Sequence, residues 1–454
     1  MGVVTDILAF VVAIGVLVTV HEFGHFWVAR RLGVRVLRFS VGFGRALWSR
    51  TAADGTEYVV AAIPLGGYVK MLDEREAEVP ESELAGAFNR KPLWVRNAVI
   101  VAGPAFNLLF AVVAYWAVFV IGTQEMRPII GEVAPESPAA QAGLESGDEL
   151  VAVGGRETLS WDSAVLALID QAVGSDAVRV TVETESGGRS THTLTLEGSG
   201  LMGADGNVLQ DLGLQPWVPR IDPRIDRVIP GSAAEAAGLR PGERVVAVDG
   251  EPVEAWDQLV ALVRDHPGET LELGLVQGGE RREVNVTLGR REGARGPVGV
   301  LGVTPEVPEG LLERLRRNVQ YGPLAAVPEA LQSTWQATSL TLKLLVKMVV
   351  GEASVKNLSG PINIAQFAGD SASLGVTPFL KFLAIVSISL AVLNLLPVPI
   401  LDGGHLLYNA IEWVRGRPLS EQAQGLGQQI GLVMLGLLMA LVFYNDLARL
   451  FGPH

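Results

Sequence analysis

Four long runs of apolar residues divide the chain. They cover residues 7–29, 98–121, 378–400 and 429–446, with few charged positions inside them. A helix needs about 20 apolar residues to cross the hydrocarbon core of a bilayer, and each run is close to that length. Residues 126–306, between the second and third runs, are water-soluble in composition. The pattern predicts a polytopic α-helical membrane protein with four transmembrane helices and a large soluble insert.

A fifth apolar stretch, residues 335–350, is predicted to lie on the membrane surface. Lys343 and Lys347 are four residues apart, so a helix places both on one stripe. A lysine stripe beside an apolar face is typical of an interfacial amphipathic helix. We therefore expect amphipathic membrane-surface helices over 307–375. A further span at 335–350 is the alternative.

Arginines at the ends of the first and third spans predict the orientation of the chain. Arg30 and Arg31 follow the first span, and Arg415 and Arg417 follow the third. Basic residues accumulate on the cytoplasmic side of membrane helices, so we expect both ends there. The soluble insert then lies on the opposite side of the membrane. We expect the first span to be retained, because no basic region of a signal peptide precedes it.

Residues 34–72 show a loose alternation of apolar and polar positions, which predicts short strands joined by turns. The apolar stretch 58–63 leads to Pro64, and Gly66 and Gly67 follow. Because this region lies beside the end of the first span, its sheet edge could hold an unwound substrate backbone by strand addition. A small cytoplasmic hairpin without a special role is the alternative.

The soluble insert contains an internal repeat. The sequence of Val133–Ala139 recurs at Val228–Ala234, and further matches keep the same offset of 95 residues. Two copies of one unit indicate a tandem of domains and not a solenoid. Each copy combines short β-rich runs with one helix, so we expect two α+β domains, at 126–220 and 221–306. They resemble a tandem of PDZ domains, which bind extended peptides along a sheet edge.

Composition narrows the classes of function. The formal net charge of −13 argues against a nucleic-acid partner. The chain has no cysteine, which excludes disulfides, thiolate metal ligands and a cysteine nucleophile. The candidate histidine ligands are few: His21, His25, His192, His266, His405 and His454. Of these, we expect His192 and His266 to be ordinary surface residues of the insert.

Candidate chemistry lies at the end of the first apolar run, in the sequence His21-Glu22-Phe23-Gly24-His25. On a helix, His21 and His25 lie one turn apart on one face, which suits two nitrogen ligands of one Zn²⁺ ion. Glu22 lies about 100° round the helix and can reach a metal-bound water without being a ligand. Ionisable residues inside a membrane span are costly and mark functional sites. A polar helix end near the interface is the alternative.

The third span is broken at its end, in residues 394–404, by two prolines and two glycines. Broken backbone at membrane depth is tolerated only where protein or a water-filled cavity satisfies it. Asp402 lies in this stretch as a carboxylate that needs a partner. The first and third spans present these ends on the same side. We therefore predict one Zn²⁺ ion per chain, held by His21, His25 and Asp402, with a fourth position open for water.

The remaining polar residues near these spans receive predicted roles. Glu22 would take a proton from the attacking water and pass it to the leaving amine. Asn394 is placed to hold substrate or to donate a hydrogen bond to the developing oxyanion. In the second span, Asn107 shares a helix face with Gly103 and either joins helices or holds substrate. His405 is expected to support the site without binding the metal. The candidate substrate-binding residues are Asn394, Asn107, Pro397, Pro399, Gly66 and Gly67.

Four features together resemble the site-2 protease family of intramembrane zinc metalloproteases. They are HEFGH in the first span, GPAFN in the second, LDGG after NLLPVP in the third, and the tandem PDZ-like units between. The resemblance implies an enzyme of the bacterial inner membrane that cuts the transmembrane helix of a single-span protein already trimmed in the periplasm. An anti-sigma factor of the envelope stress response is the implied substrate type, and remnant signal peptides are another.

The resemblance also implies roles for the regions around the site. The PDZ pair would lie in the periplasm as a size filter. Residues 34–72 would form a membrane re-entrant sheet that unwinds substrate, with the active site toward the cytoplasmic face.

Two other functions are compatible with parts of the pattern. A membrane-anchored PDZ scaffold without catalysis would need neither Glu22 nor Asp402. A metal transporter would show polar positions throughout the spans, whereas only Asn107 and Asn394 stand out. The combined features favour the zinc protease.

Overall fold

The computed structural model describes residues 3–75, 78–172, 175–184, 186–195, 208–293, 296–308, 310–351 and 360–451. Its helices are α1 (Val3–Arg31), α2 (Leu93–Ile121), α3 (Pro138–Gln141), α4 (Trp161–Ala172), α5 (Val208–Asp211), α6 (Ala233–Ala236), α7 (Trp256–Arg264), α8 (Leu311–Leu315), α9 (Ala326–Val350), α10 (Pro361–Leu374), α11 (Val376–Asn394), α12 (Asp402–Arg415) and α13 (Glu421–Phe451). Two 3₁₀ turns, Glu81–Gly86 and Phe88–Arg90, precede α2.

The strands fall into a ribbon near the start of the chain and a longer series in the insert. They are β1 (Val36–Thr51), β2 (Glu57–Met71), β3 (Thr123–Met126), β4 (Ile130–Val133), β5 (Glu149–Val153), β6 (Arg156–Glu157), β7 (Ala177–Glu183), β8 (Arg189–Thr195), β9 (Leu214–Pro216), β10 (Ile225–Val228), β11 (Arg244–Val248), β12 (Glu251–Pro252), β13 (Thr270–Gln277), β14 (Glu280–Thr287), β15 (Gly289–Gly293), β16 (Gly296–Val300), β17 (Val303–Pro305) and β18 (Arg316–Val319).

Four of the described helices are long and apolar enough to cross a membrane: Val4–Arg31, Leu93–Ile121, Val376–Asn394 and Gln422–Ala448. They correspond to α1, α2, α11 and α13, and they confirm the four predicted spans. The chain is therefore a multi-pass membrane protein. α9 contains the stretch predicted to lie on the membrane surface, and it is not among these four helices.

α2 lies at the centre of the helices and packs against α1, α9, α11 and α12. Small residues make these approaches close. Gly24 of α1 meets α2 so tightly that a β carbon there would lie 2.4 Å from the backbone oxygen of Ala102. On another side of α2, Ala111 and Ala114 share an apolar cluster with Ala384 of α11. α2 therefore sets the positions of α1 and α11, the two helices that lead to the predicted ligands.

The predicted β-rich region is confirmed as the antiparallel pair β1 and β2. Both strands are bent, so that Ser40 of β1 pairs with Val59 and also with Tyr68. The last part of β2, residues 67–71, pairs with residues 36–41 and has no second strand partner among the described residues. The sheet packs against α1. The edge segment 67–71 is therefore held beside the end of the first span.

Two α+β domains form the insert, as the repeat predicts. Their four-stranded sheets have the same order, β6-β5-β7-β8 in the first and β12-β11-β13-β14 in the second. Each has its own apolar core, built from residues between 130 and 214 in one case and between 225 and 301 in the other. Ser137 and Ser232, at equivalent positions, each cap a short helix. The predicted fold class is thus confirmed, and the predicted domain boundaries stay a prediction.

The first α+β domain contacts the membrane helices through ion pairs from α4. Asp162 Oδ2 lies 2.8 Å from the Nζ atom of Lys381 on α11. Asp170 pairs with Lys343 on α9. Strand β3, directly after α2, also pairs with β18, which precedes α9. These contacts hold the domain at the end of the bundle where α2 ends and α11 begins.

Candidate metal centre

His21 and His25 lie one turn apart on α1, and their rings point to the same place. Their Nε2 atoms are 3.2 Å apart, and the ring planes meet at 81°. Only 12% and 11% of the two side chains is exposed. Gly24, between them, is the contact point of α1 with α2, so the rings are held where two helices meet.

Asp402 reaches these histidines from the far end of the chain. It is the first residue of α12, and its Oδ2 atom lies 3.2 Å from His21 Nε2 and 3.5 Å from His25 Nε2. The preceding turn is tight, because a β carbon on Gly403 would lie 2.2 Å from the backbone oxygen of Leu396. The structure thus brings the three predicted ligands together.

The three atoms are arranged as ligands of one metal ion would be. In a tetrahedral zinc site with bonds of about 2.0–2.1 Å, neighbouring ligand atoms are about 3.3 Å apart. The observed separations are 3.2, 3.2 and 3.5 Å. Asp402 Oδ2 is buried without a hydrogen-bond partner of suitable geometry, as expected for an oxygen that binds a cation. Two imidazoles and one carboxylate are a known donor set of hydrolytic zinc, so the residues fit this ion.

The second nitrogen of each ring faces α2. His25 Nδ1 lies 2.8 Å from the backbone oxygen of Val99. Because a carbonyl only accepts, this Nδ1 atom carries the hydrogen, and Nε2 keeps a lone pair for a metal. His21 Nδ1 lies 3.3 Å from the side-chain amide of Asn107. Both ligand rings are therefore held on the side away from Asp402.

A cavity of about 460 Å³ opens beside the three ligands. Glu22 lines it together with the two histidines and Asp402, and residues 68–71 of β2 form another part of its wall. A water molecule occupies about 30 Å³ of liquid, so the cavity has room for water and for part of a substrate. The Glu22 carboxylate therefore faces the same space as the three ligand side chains.

Asn394 is the predicted substrate-binding residue with the clearest place at this cavity. It ends α11 and lines the wall near Asp402. Pro397 and Pro399 belong to the turn between α11 and α12 and are not among the lining residues. Asn107 is fully buried beside the ligands. The substrate-binding roles of all four stay a prediction.

Gly66 and Gly67 lie where β2 makes close contacts that leave no space for a side chain. A β carbon on Gly66 would lie 2.1 Å from the ring of Phe43. On Gly67 it would lie 2.7 Å from the backbone oxygen of Ser40 and 3.1 Å from Glu22 Cγ. Gly67 thus brings the edge segment 67–71 of β2 against Glu22, and a role in binding substrate stays a prediction.

A loop that no sequence signal singled out also lines the cavity. Asp73 and Arg75 lie there as an ion pair of 2.5 Å. Burial raises the pKa of the Asp73 carboxyl, but hydrogen bonds from the side chain and backbone of Arg75 lower it more, so the net shift is downward. Burial lowers the pKa of His405 in spite of the nearby Asp402 carboxylate, with the Arg75 charge acting in the same direction as burial. A supporting role for His405 stays a prediction.

α12 is held on α2 by polar contacts that sequence reasoning missed. Arg96 Nη2 lies 2.6 Å from Glu412 Oε1, and both side chains are largely buried. Asn409 donates a hydrogen bond of 2.7 Å to Asn97. Because Asp402 is the first residue of α12, these contacts fix the direction from which it reaches the histidines. Partners that are 316 positions apart cannot be paired by any local pattern.

The profile of Peptidase family M50 matches residues 9–438 of the chain. The chain belongs to peptidase family M50. The regulator of sigma-E protease RseP of Escherichia coli (strain K12) is 46% identical to it, over 98% of this chain and 99% of that protein. Protease RseP of Yersinia pestis is 47% identical over 99% and 100% of the two chains. A putative zinc metalloprotease of Vibrio cholerae is 43% identical over 98% and 100%.

Membership of M50 confirms the predicted enzyme class and the resemblance drawn from the motifs. This M50 protein is an intramembrane zinc metalloprotease, so the scaffold without catalysis is set aside. Among solved structures, the PDZ domain of an SdrC-like protein from Listeria monocytogenes matches 19% of this chain and 90% of that domain. Its TM-score of 0.17 and identity of 16% are too low to bear on the fold.

Proposed function

We propose that this M50 protein hydrolyses a peptide bond inside the transmembrane segment of single-span membrane proteins, with one Zn²⁺ ion held by His21, His25 and Asp402. The observation that carries this proposal is the approach of three ligand atoms to within 3.2–3.5 Å of one another. α1 and α11 are candidate membrane spans that lead directly to these atoms. A membrane-embedded substrate can therefore reach the site from within the bilayer.

Glu22 is the general base and acid of the proposed reaction. The chemistry that a bound zinc ion supplies is polarisation of a carbonyl oxygen and acidification of a water molecule. Glu22 lines the same cavity as the ligands, so its carboxylate can accept a proton from the attacking water. The same group then donates that proton to the leaving amine. Asn394 lines the cavity and can donate a hydrogen bond to the substrate carbonyl from its side-chain amide.

The edge segment 67–71 of β2 holds the substrate in an extended form. A helix buries its peptide bonds in internal hydrogen bonds, so a transmembrane helix must unwind before it can be cut. Residues 67–71 form a strand edge beside which no further strand pairs among the described residues, and residues 68–71 line the cavity. Strand addition there satisfies the unwound backbone. Gly66 and Gly67 keep this edge close to Glu22, and Pro397 and Pro399 shape the turn on the Asp402 side.

The substrate is of the anti-sigma-factor type, in a bacterial inner membrane, and is cut after a first cleavage in the periplasm. The name "regulator of sigma-E protease" of the relatives supports this class, with remnant signal peptides as a second class. The arginines after the first and third spans support an active site toward the cytoplasmic face. The two α+β domains then lie in the periplasm, where they exclude substrates that have not been trimmed.

Cleavage of a reconstituted substrate tests this proposal. Purified enzyme and a single-span peptide are placed in liposomes, and products are measured by mass spectrometry. Glu22→Gln is expected to retain zinc and lose cleavage by a factor of about 10²–10⁴. Glu280→Gln, an exposed change in the second α+β domain, is the matched control and should cleave normally. Cleavage by Glu22→Gln at the wild-type rate would contradict the proposed chemistry.

The same assay tests the size filter. A second peptide carries a folded domain on its periplasmic side, and it should be cut much more slowly than the trimmed one. Equal rates on the two peptides would exclude the filter and leave the chemistry standing.

A further inference from the structure

One stripe of α2 lies directly behind the two ligand rings. Val99, Gly103 and Asn107 are spaced four residues apart, so they share a face of the helix. All three are buried, and each lies against the ring of His21 or His25. The proposed metal centre thus has two sides. α1 and α12 supply the ligand atoms, and α2 faces the rings from behind.

Gly103 leaves the space that both rings occupy. A β carbon at this position would lie 2.3 Å from His25 Nε2 and 2.7 Å from His21 Cε1, which is well inside van der Waals contact. Gly103 is within α2 and has no positive φ, so its backbone conformation does not require glycine. The position of the two rings is what excludes a side chain here.

Asn107 faces His21, and the oxygen of its side-chain amide is unsatisfied. Its side chain has no exposed surface, and the amide nitrogen is placed 3.3 Å from His21 Nδ1. The amide oxygen is buried and has no hydrogen-bond partner. The two ends of an amide exchange places by rotation about one bond. In the rotated form, the oxygen accepts a hydrogen bond from His21 Nδ1, and the amide nitrogen takes the buried position that has no hydrogen-bond partner.

In this rotated form, His21 has the same tautomer as His25. A neutral imidazole carries hydrogen on one nitrogen and a lone pair on the other. With Nδ1 donating to Asn107, the Nε2 lone pair of His21 points toward Asp402 Oδ2, as that of His25 does with Nδ1 donating to Val99. Both rings then present a lone pair to one shared point.

A hydrogen bond from α11 holds the backbone of Asn107 in position. Ser387, which is fully buried on α11, donates a hydrogen bond of 2.8 Å to the backbone oxygen of Asn107. α11 leads into the turn that carries Asp402. The partner of His21 and the third ligand are therefore tied to the same helix.

We propose that Asn107 and Gly103 are positioning residues of the metal centre. Asn107 orients His21 through a hydrogen bond at Nδ1, and Gly103 sets the depth at which the two rings lie. This inference rests on the proposed function, because the rings are ligands only if a metal ion binds between them. Loss of the partner that orients a ligand histidine lowers metal affinity about 10–100-fold. Residues that only join helices would instead change the stability of the metal-free protein.

Zinc affinity of the purified full-length enzyme tests the inference. Zn²⁺ is titrated against a chromogenic chelator in detergent, and thermal unfolding of the metal-free proteins is recorded in parallel. The variants are Asn107→Leu, which removes the acceptor, Asn107→Asp, which keeps one, and Gly103→Ala. Gly15→Ala on α1 is the matched control, because nothing lies within 4 Å of a β carbon there. His21→Ala reports the loss of a ligand.

Asn107→Leu and Gly103→Ala should each weaken zinc binding about 10–100-fold. The zinc affinities of Asn107→Asp and Gly15→Ala should stay within a few-fold of the wild-type affinity. The inference is overturned if Asn107→Leu and Gly103→Ala bind zinc normally, or if Asn107→Asp loses as much as Asn107→Leu. It is also overturned if the metal-free variants unfold well below the metal-free wild type, because the residues then only join helices. Normal zinc binding by His21→Ala would instead reject the proposed function itself.

Discussion

Asp402 Oδ2 lies 3.2 Å from His21 Nε2, although the two residues belong to opposite ends of the chain. α2 contacts the helices of both residues and holds them close together. It contacts α1 at Gly24, and it holds α12 through Arg96. A central helix without a predicted ligand therefore determines whether the ligands of the other helices converge.

The Arg96–Glu412 pair is expected to control zinc binding from outside the ligand set. Both side chains are largely buried. Arg96→Met removes the ion-pair partner of Glu412, and Glu412→Leu leaves Arg96 with its 3.3 Å hydrogen bond to Asn409. Each single change should destabilise the protein by about 1–3 kcal/mol and weaken zinc binding, because α12 loses its anchor. The double variant should lose clearly less stability and zinc affinity than the sum of the losses of the two single variants. Thermal unfolding and zinc titration measure both effects.

Arg90→Met is the matched control for this cycle. Arg90 pairs with Glu74 on the surface of the preceding loop, where 53% of the arginine side chain is exposed. An exposed pair contributes about 0–1 kcal/mol, so both measurements should change little. Full additivity of the Arg96 and Glu412 changes would show that their contact does not hold α12.

Gly67→Ala should separate catalysis from metal binding. The added methyl group would lie 2.7 Å from the backbone oxygen of Ser40 and 3.1 Å from Glu22 Cγ, so β2 must shift away from α1. We expect cleavage to fall about tenfold or more, since a shift near 1 Å already misplaces a reacting group. Zinc affinity should match that of Gly15→Ala. If zinc affinity falls and cleavage per bound zinc is unchanged, β2 has no part in holding substrate.

Two carboxylates of α4 should differ in how much they hold the first α+β domain. Asp170 is 7% exposed and pairs with Lys343 and with Arg156, whereas the Asp162 side chain is 77% exposed. Asp170→Asn should therefore lower the free energy of unfolding by about 1–3 kcal/mol, and Asp162→Asn should lower it by at most about 0.5 kcal/mol. The order of the two unfolding midpoints checks this. A larger drop for Asp162→Asn would mean that the Lys381 contact carries the docking.

The helical spacing of His21 and His25 is a local pattern, so sequence alone predicts one face and a metal site. Asp402 is also predictable, because a broken span leaves a carboxylate that needs a partner. The contacts of α2 with the ligand rings depend on which helices are neighbours. The position of Asn107 in the sequence predicts contact with another helix or with substrate, and only the packing of α1 on α2 shows that it faces His21.

The strand pair of β1 and β2 is also only partly predictable from the sequence. Alternation of apolar and polar positions predicts strands in this region, and the structure confirms them. The pairing of Ser40 with both Val59 and Tyr68 depends on a bend in each strand. Pro64, Gly66 and Gly67 predict a break in the second strand. No local signal shows which segments pair or that residues 67–71 lie at the edge of the sheet.

Metal content of purified wild type and ligand variants tests the central claim most directly. Wild type and Glu22→Gln should each contain one zinc ion per chain, because Glu22 is not a ligand. His21→Ala, His25→Ala and Asp402→Ala should lose nearly all zinc after dialysis against a weak chelator. An Asp402→Ala variant that keeps one zinc ion per chain with wild-type affinity would contradict the claim that α1 and α12 share one metal ion.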